Sequence, residues 1–554
     1  MASRTWRAWA TAGVLAVSLS ITASGNGPVF YDDDPLEDDP ELQDASKVSP
    51  VDLSEAYDFL ENSFLDAGDR SDRRAMNVNT VDHVPNSSWY TQRLGTAEVL
   101  SVQDVIRGPY HGQPPQPGPW TIVGAKSEGI SPGMTVRDST GTLYFVKFDP
   151  PSNPEMASGA EVISTRLFWA LGYNVPENYL ASFRPEDLTI APDTQLTDDF
   201  GRRRDMNEDD VAALLTKAAR HPDGRYRVVA SKGIAGVPVG PFRYYGTRPD
   251  DPNDIHPHEH RRELRAMRVF GAWLNHDDSR AINTADFLQD AGGGRKIVRH
   301  YLIDFGSTLG SGSTRAQGTR AGNEYIWEAR PTFISMLTLG FYVRPWLKVR
   351  YPDLPAVGRF EASYFQPDRW KPEYPNPAFD NARPDDLFWG ARGVLAFSDE
   401  AILEVVRTAE FSNPEATSYM AQTLITRRDK IGQLWLNAVL PVDDFALTAD
   451  GVLSFSNIAE DTRTAVAGTG YTIRWARFDN ATGEASPVGS AQAFSGRQTT
   501  APREVLTGEF VQATLTGDHP THRGWALPTT IVFRRAGPGW RLVGVDRQSA
   551  TIAP

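Results

Sequence analysis

The chain has 554 residues and a formal net charge of −14, with 40% apolar and 23% charged residues. This length predicts two or three folded units, and the composition excludes general disorder. The chain has no cysteine, which excludes disulfides, thiolate zinc sites and cysteine nucleophiles. We expect so acidic a chain to repel nucleic acid and anionic lipid as a whole, so no nucleic-acid partner is predicted.

The amino terminus has the layout of a cleaved secretory signal peptide, predicted over residues 1–24. Arg4 and Arg7 precede an apolar run from Ala8 to about Ile21, and small residues follow. This run is shorter than the roughly 20 residues that a spanning helix needs, although an uncleaved anchor is the alternative interpretation. No later segment is long and apolar enough to span a bilayer. We therefore predict an exported protein, periplasmic or extracellular, with no membrane span in the mature chain.

Two short segments are expected before the main domain. Residues 25–50 are acidic and interrupted by prolines, which is typical of a solvated linker. Residues 51–114 are interpreted as an N-terminal bracing segment that begins with a helix from Val51 to about Ala67. The apolar residues of this helix recur at helical spacing: Leu53, Ala56, Phe59, Leu60 and Phe64. The pattern predicts that this apolar face packs against the following domain.

Strand patterns dominate from Trp120 to Phe148. The loop 124–133 joins two of them, and its backbone N–H groups are predicted to cover phosphates, although its glycine spacing departs from G-x-G-x-x-G. The phosphate-binding residues predicted in this region are Lys126, Ser127, Gly129, Gly133 and Lys147.

Lys147 lies within the strand Tyr144–Phe148 among apolar neighbours, where an unpaired lysine is costly. A helix is predicted from about Ser158 to Leu171, closed by Gly172, and it contains Glu161. An ion pair between Lys147 and Glu161 is therefore predicted. Glu155 is the competing partner, and the other alternative is a lysine that reaches solvent from an edge strand.

Further elements divide the main domain into two parts. Strands are predicted at Tyr179–Phe183 and Tyr226–Val237, a short helix near Glu208–Ala219, and a strongly periodic helix at His258–Leu274. The first part, about 115–240, is rich in strands, and the second, about 241–440, is rich in helices. The aromatic stretch from Phe360 to Trp389 is interpreted chiefly as core and surface packing.

The loop after helix His258–Leu274 carries the most informative spacing. His276 stands two residues before Asp278, and Asn283 stands five residues after it, as in the catalytic loop of kinases. Phosphoryl transfer needs a carboxylate to accept the hydroxyl proton and oxygen ligands for magnesium. Asp278 is therefore predicted as the base and Asn283 as a metal ligand. Arg280 stands where many kinases place a lysine that faces the transferred group.

A second motif follows at the end of an apolar strand, where residues 304–306 read Asp-Phe-Gly. Asp304 is predicted as the other magnesium ligand. Glycines 292–294 predict a turn, so that Phe287 and Leu288 pair with the strand Ile297–Ile303 as a hairpin. An earlier Asp-Phe-Gly at 199–201 has no catalytic loop before it, and we interpret it as a hairpin turn.

After Leu440 the helical patterns stop. Runs rich in Thr, Val and Tyr alternate with turn residues, and strands are predicted at Tyr471–Phe478, Glu509–Thr516, Thr529–Arg535 and Trp540–Val545. Residues 441–554 are thus predicted to form a separate β-sandwich-like domain that contributes no catalytic side chain.

The ordered set formed by Lys147, Glu161, Asp278, Asn283 and Asp304 resembles the atypical branch of the protein-kinase-like superfamily. That branch includes HipA-like, phosphoinositide-kinase-like and spore-coat CotH kinases, and the resemblance covers about residues 115–435. Residues 172–176, Gly-Tyr-Asn-Val-Pro, are similar to the turn after the equivalent helix of HipA-like proteins. The glycine loop is irregular, no Ala-Pro-Glu follows Asp304, and a charged insertion occupies about 184–225.

The resemblance implies an α+β chain with a bilobal protein-kinase-like fold and a C-terminal all-β sandwich-like domain. It implies ATP and Mg²⁺ as cofactors, with transfer of the γ-phosphoryl group to a hydroxyl of a protein or small molecule. In that scheme Lys147 clamps the α- and β-phosphates and Glu161 orients Lys147. The departures leave the acceptor open, including whether it is a protein, a sugar or a lipid.

Other functions are considered beside this one. A pseudokinase that serves as an envelope binding or scaffold protein would use the same fold, and predicted export favours it because ATP is scarce outside the cytoplasm. The residues His256, His258 and His260 suggest a zinc site, although alternation beside Pro257 is more typical of a polar loop. Ser127 and Ser131 suggest a hydrolase, but the chain has no G-x-S-x-G motif.

Overall fold

The computed structural model of the chain describes residues 27–94, 100–125, 133–197 and 203–548. The predicted signal peptide and the Asp-Phe-Gly at 199–201 lie outside these ranges, as do Lys126, Ser127 and Gly129. Helices and strands are mixed along the chain in several separate sheets, which confirms the predicted α+β class. None of the helices in the described ranges is long and apolar enough to cross a membrane.

Helices form where apolar residues recur with a period near 3.6. The α-helices are α1 (Glu55–Phe64), α2 (Val102–Arg107), α3 (Met156–Ala170), α4 (Glu208–Leu215), α5 (Arg262–Leu274), α6 (Ala329–Leu337), α7 (Pro377–Asp380), α8 (Pro384–Leu395), α9 (Asp399–Arg407), α10 (Pro414–Trp435) and α11 (Ile458–Asp461). The helices predicted near 158–171, 208–219 and 258–274 are confirmed as α3, α4 and α5. The last begins later than predicted because His258–His260 form a separate 3₁₀ turn.

The strands are β1 (Trp120–Ala125), β2 (Gly133–Arg137), β3 (Leu143–Phe148), β4 (Asn178–Phe183), β5 (Leu188–Ile190), β6 (Gln195–Thr197), β7 (Arg203–Asp205), β8 (Tyr226–Lys232), β9 (Val237–Gly240), β10 (Thr284–Gly292), β11 (Arg295–Leu302), β12 (Val442–Leu447), β13 (Val452–Asn457), β14 (Gly470–Phe478), β15 (Ala485–Ser495), β16 (Gln498–Thr500), β17 (Phe510–Asp518), β18 (Thr529–Ala536) and β19 (Gly539–Arg547). They form a six-stranded sheet in the order β4-β8-β3-β2-β1-β5, two three-stranded sheets in the orders β11-β10-β9 and β12-β13-β16, a five-stranded sheet in the order β15-β14-β17-β18-β19, and the pair β6-β7.

The main hydrophobic core lies among helices α3, α5, α8 and α10. Leu167 and Phe168 of α3 and Phe270 and Trp273 of α5 are fully or almost fully buried in it. Each such side chain contributes roughly 1.5–3 kcal/mol on burial, so this cluster fixes α3 against α5. Much of the aromatic stretch 360–389 is buried in the same core, as predicted.

The C-terminal strands share this core with the helices. Leu440, Val442 and Trp475 are buried in the same cluster as Phe388 of α8. The four strands predicted in this region are confirmed as β14, β17, β18 and β19. The independent folding of residues 441–554 stays a prediction, and it has to be reconciled with this shared core.

Helix α1 forms as predicted, but the prediction that its apolar face packs against the domain is wrong. Phe59, Leu60 and Phe64 are 40%, 54% and 69% exposed, whereas Asp58 and Glu61 are buried. The two carboxylates form ion pairs with arginines of the main body, which turns the acidic face inward. Periodicity located this helix but did not show which face is buried.

Candidate active site

The position of Lys147 follows from the pairing of β3. In the six-stranded sheet, Lys147 lies opposite Gly133 of β2 on one side and Val229 of β8 on the other. β3 is therefore an interior strand, and the alternative in which Lys147 extends from an edge strand is wrong. Its side chain is 19% exposed and lines a cavity.

Three charged groups meet at this point. Lys147 Nζ lies 2.7 Å from Asp304 Oδ1 and 3.7 Å from Glu161 Oε2. Burial would lower the pKa of Lys147, but the two carboxylates outweigh it and hold the pKa above its ordinary value. Burial raises the pKa of Glu161, and the positive charge of Lys147 only partly offsets this effect. Glu155 is not a partner of Lys147, because it accepts hydrogen bonds from Ser412.

Helix α3 is fixed at the end of β3 by a carboxylate that the two elements share. Asp149 follows β3 directly, and it accepts hydrogen bonds from Ser158 N at 2.8 Å and Ser158 Oγ at 2.6 Å. Further along the helix, Glu161 Oε1 accepts a hydrogen bond from Phe305 N at 3.1 Å. Glu161 thus joins strand β3, helix α3 and the Asp-Phe-Gly segment.

The hairpin β10-β11 brings the two predicted metal ligands together. Thr284 pairs with Leu302, and Ile303 N donates to Asn283 O at 3.1 Å, so Asn283 and Asp304 lie at the same end of the hairpin. Asp304 has a φ of 61°, in the left-handed region. Aspartate tolerates this conformation better than most residues, and such conformations are concentrated at functional sites.

The loop 275–283 is held by side-chain hydrogen bonds. Helix α5 ends at Asn275, whose Nδ2 donates to Gln317 Oε1 at 2.7 Å, and Gln317 Nε2 donates to Asp277 Oδ1 at 2.6 Å. At the other end of the loop, Asn283 Nδ2 donates to Asp278 O at 2.7 Å. Burial raises the pKa of Asp277 well above its ordinary value, whereas Asp278 lines the cavity. The two adjacent aspartates therefore have different environments.

His276 lies behind this loop. Its ring contacts Phe168 and Phe305 with centroids 5.7 and 6.0 Å apart, and the two phenylalanine rings stack at 4.9 Å. Burial lowers the pKa of His276 to about 4, so the ring is neutral near pH 7. This aromatic cluster connects the catalytic-loop segment, the Asp-Phe-Gly segment and helix α3.

Arg280 is shared between two carboxylates. Its Nε lies 2.5 Å from Asp278 Oδ1, and its Nη1 lies 3.0 Å from Asp58 Oδ2 on helix α1. These charges outweigh the effect of burial and raise the pKa of Arg280 above its ordinary value. Asp58 was not predicted as a site residue, because α1 was expected to bury its apolar face.

Asn178 is a second residue that the sequence did not indicate. It lies at the start of β4, and its Nδ2 donates to Glu161 Oε1 at 3.0 Å and to Thr165 Oγ1 at 2.7 Å. Its side chain is fully buried. The signal that could have indicated it is its place two residues after the turn 172–176.

Six of the predicted site residues surround one cavity of about 580 Å³. This volume falls within the roughly 300–1,000 Å³ of small-molecule and cofactor sites. The charged and amide residues that line it are Glu55, Lys147, Glu161, Lys232, Asp278, Arg280, Asn283 and Asp304. Its apolar lining is formed by Met134, Phe145, Val146, Pro176, Ile234, Ile282, Ala285, Phe287 and Ile303. Gly133 pairs with Lys147 in the sheet but does not line the cavity.

The donor set is suited to magnesium. Asp304 offers a carboxylate and Asn283 an amide oxygen, and magnesium is commonly held by one or two carboxylates together with substrate phosphates. No group of three or more His, Cys, Asp or Glu side chains within the described ranges is arranged to hold a metal alone. The zinc alternative therefore lacks a ligand set. His258 Nε2 contacts Asp254 at 2.7 Å, and His260 Nε2 lies 3.1 Å from a carboxylate of another segment.

Comparisons of the chain with family models, with curated proteins and with solved structures gave no match. The functional interpretation therefore depends on the residues of this cavity and their chemistry. The resemblance drawn from the sequence stays a prediction.

Proposed function

We propose that the chain is an atypical kinase with a bilobal kinase-like fold, which transfers the γ-phosphoryl group of ATP to a hydroxyl of a protein or small molecule. One observation carries this proposal. Residues predicted from spacing in three separate segments, around 147–161, 278–283 and 304, lie on one cavity of about 580 Å³. Chance would rarely place five such side chains together in the order that this chemistry requires.

The charged side of the cavity is suited to bind the phosphates. Lys147 would contact the α- and β-phosphates, and Glu161 would keep its amine in position from the buried side. Asp304 and Asn283 would hold magnesium, which when bound neutralises charge on the phosphates. Lys147 Nζ and Asp304 Oδ1 lie 2.7 Å apart, so both side chains can contact the same ligand.

Asp278 is suited to accept the proton of the acceptor hydroxyl. Its carboxylate lines the cavity, and Asn283 fixes the backbone next to it by the 2.7 Å bond to Asp278 O. Arg280 keeps its positive charge at any physiological pH and lies beside that carboxylate. It would stabilise negative charge on the group in transfer.

The apolar lining is suited to a nucleobase. Val146 and Met134 come from the sheet, and Phe287 and Ile303 come from the hairpin β10-β11. A planar base placed between these two surfaces would lose contact with water on both faces, which favours binding through burial of apolar area.

The second candidate function is a pseudokinase that binds partners in the envelope. It is favoured by the way the charged groups satisfy one another without a ligand: Lys147 with Asp304, and Asp278 with Arg280. The predicted export supports it too, since ATP is scarce outside the cytoplasm.

Two substitutions separate these candidates, because Asp304 and Asp278 have different roles in the proposed reaction. Asp304→Ala removes a magnesium ligand, so magnesium-dependent ATP binding and phosphoryl transfer should fall together. Asp278→Asn keeps size and hydrogen bonding but removes the base. ATP should still bind, while turnover falls about 10²-fold or more. Binding is measured by calorimetry, and turnover by autophosphorylation, transfer to envelope proteins and ATP hydrolysis.

Asp290→Asn and Asp290→Ala are the matched controls. Asp290 is exposed at the far end of the hairpin that carries Asn283 and Asp304, so its substitution should change neither binding nor turnover. If the wild type binds ATP without any turnover, and Asp278→Asn is indistinguishable from it, the enzyme is excluded and the pseudokinase remains.

A further inference from the structure

Residues 326–350 form a segment with unusually exposed apolar side chains, here called the apolar loop. It contains helix α6, in which no residue is buried, followed by a turn and a short 3₁₀ helix at Pro345–Lys348. Exposure is greatest at the turn, where Leu339 and Phe341 are each 86% exposed on either side of Gly340. Met336 and Leu337 beside them are 70% and 68% exposed. So large an apolar surface is typical of an interaction site.

Three hydroxyl groups of the apolar loop are hydrogen-bonded within the loop. Thr332 Oγ1 donates to Glu328 O at 2.7 Å, and Thr338 Oγ1 donates to Ile334 O at 2.8 Å. The hydroxyl of Ser335 accepts a hydrogen bond from the Arg344 guanidinium at 3.0 Å. Internal pairing of this kind is what a segment needs in hydrocarbon, where no water is present to bond a hydroxyl.

The charges of the apolar loop have the opposite sign to those of the whole chain. Residues 331–343 contain no charged residue, and the loop as a whole has one acidic residue against four basic ones, in a chain of net charge −14. Arg330, Lys348 and Arg350 are exposed and make no ion pair with any other described residue. An uncharged apolar tip bordered by cations and by Trp327 matches the boundary between lipid chains and anionic headgroups.

The base of the loop is tied to the main body close to the cavity. Arg344 pairs with Glu324 at 2.7 Å, and Ile326 N donates to Glu373 O at 2.7 Å. Glu373 N donates in turn to Asp277 O at 2.6 Å, next to the proposed base. The apolar tip is thus carried on a polar base beside the loop 275–283.

We propose that the apolar loop docks the protein on an anionic lipid bilayer as a peripheral contact. The acidic chain would be repelled by such a surface elsewhere, so the loop would orient the molecule with the loop 275–283 near the headgroups. A protein partner is the less favoured occupant, because the hydroxyls of Thr332, Ser335 and Thr338 are already hydrogen-bonded within the loop, and the cations that flank the tip match an anionic surface. This proposal goes beyond phosphoryl transfer and does not depend on it.

Vesicle binding tests the proposal. The full chain is sedimented with vesicles of phosphatidylcholine alone, or of phosphatidylcholine and phosphatidylglycerol in equal parts. We expect binding to the anionic vesicles that weakens as salt increases. The double variant Leu339→Asp with Phe341→Asp should abolish this binding. The double variant Lys348→Glu with Arg350→Glu should weaken it about tenfold or more, because each cation near an anionic surface contributes about 1 kcal/mol to binding. Val466→Asp and Arg474→Glu, at exposed positions in the C-terminal region, are the matched controls.

A label shows which residues enter the lipid. Because the chain has no cysteine, Leu339→Cys carries a polarity-sensitive fluorophore at a single site, and Val466→Cys is its control. The emission of the first should shift to the blue with anionic vesicles, and that of the second should not. The proposal is overturned if the wild type does not bind anionic vesicles, or if the tip variant binds them equally well. It is also overturned if the tip variant only dissociates an oligomer, which would assign the surface to a second copy of the chain.

Discussion

Two clusters of buried charges in the described part of the chain differ in their access to solvent, because only one of them lines a large cavity. In the first, the side chains of Lys147, Asp278 and Asp304 retain exposures of 19%, 21% and 27%. In the second, Arg262 and Asp386 are 0% exposed. Burial of charge alone therefore does not distinguish a reactive site from a structural one. Access to a cavity does, and it is the basis for assigning chemistry to the first cluster.

The second cluster is closed, and its charges pair with one another inside the core. Arg262 lies 2.7 Å from Asp82, 2.8 Å from Asp385 and 3.0 Å from Asp386. Arg547 of β19 lies 3.6 Å from the same Asp82, so the cluster links the N-terminal segment, helices α5 and α8, and the C-terminal strands. Its role is to fix these parts against one another.

The largest expected effect is on the second cluster. Arg262→Ala leaves three buried carboxylates without their shared cation, which should lower the free energy of unfolding by about 3–5 kcal/mol. Denaturant unfolding measures this loss, with Arg474→Ala at an exposed position as the control. The folded fraction should still bind nucleotide. An unchanged unfolding curve together with lost nucleotide binding would reverse the roles assigned to the two clusters.

Substitution in the first cluster should affect ligand binding more than stability. Lys147→Met removes the cation from the proposed phosphate site, and hydrogen bonds to charged groups are worth roughly 1.5–3 kcal/mol, so ATP affinity should fall about ten- to a hundredfold. Calorimetric titration provides the affinity, with Lys217→Met on the exposed surface as the control. A variant that loses stability like Arg262→Ala but retains ATP affinity would show that Lys147 is structural.

A third effect concerns pH. Burial lowers the pKa of His83, beside the second cluster, to about 4, and the pKa of His276, behind the first, also to about 4. Below pH about 6.5 the unfolded chain binds protons at these residues that the folded chain does not. The stability that neutral histidine provides is thus complete above pH 6.5 and is lost as the pH falls towards 4.

Unfolding at a series of pH values checks this linkage. His83→Gln should make the decline in stability between pH 6.5 and 4 shallower, whereas His111→Gln at an exposed position should not. A slope unchanged by His83→Gln would mean that this histidine becomes protonated in the folded protein.

Much of the candidate site was predictable because its residues stand at short spacings along the chain. Asp278 and Asn283 lie in one loop, Asp304 ends the next hairpin, and Lys147 and Glu161 lie on consecutive elements. Local patterns of strand, turn and helix therefore carried most of the information. The roles of these residues in catalysis stay a prediction.

The rest depends on contacts between distant segments. Asp58 contacts Arg280, which is more than 200 residues away in the sequence. Helix α1 carries Asp58, and the periodic apolar residues of this helix predict that its apolar face, not its acidic face, is buried. The sequence does not indicate that Arg262 is buried either, since a charged residue in a helix is usually solvated. Total charge does not show local charge: the whole chain has a net charge of −14, whereas residues 326–350 carry one acidic and four basic residues.

The most direct test of the central claim is calorimetric titration of the full chain with ATP, with and without magnesium, for the wild type and for Asp304→Ala. We predict binding to the wild type that strengthens with magnesium, and the loss of this magnesium effect in Asp304→Ala. Failure of the wild type to bind ATP under either condition would contradict the assignment of the cavity. So would a magnesium effect of equal size in the wild type and in Asp304→Ala.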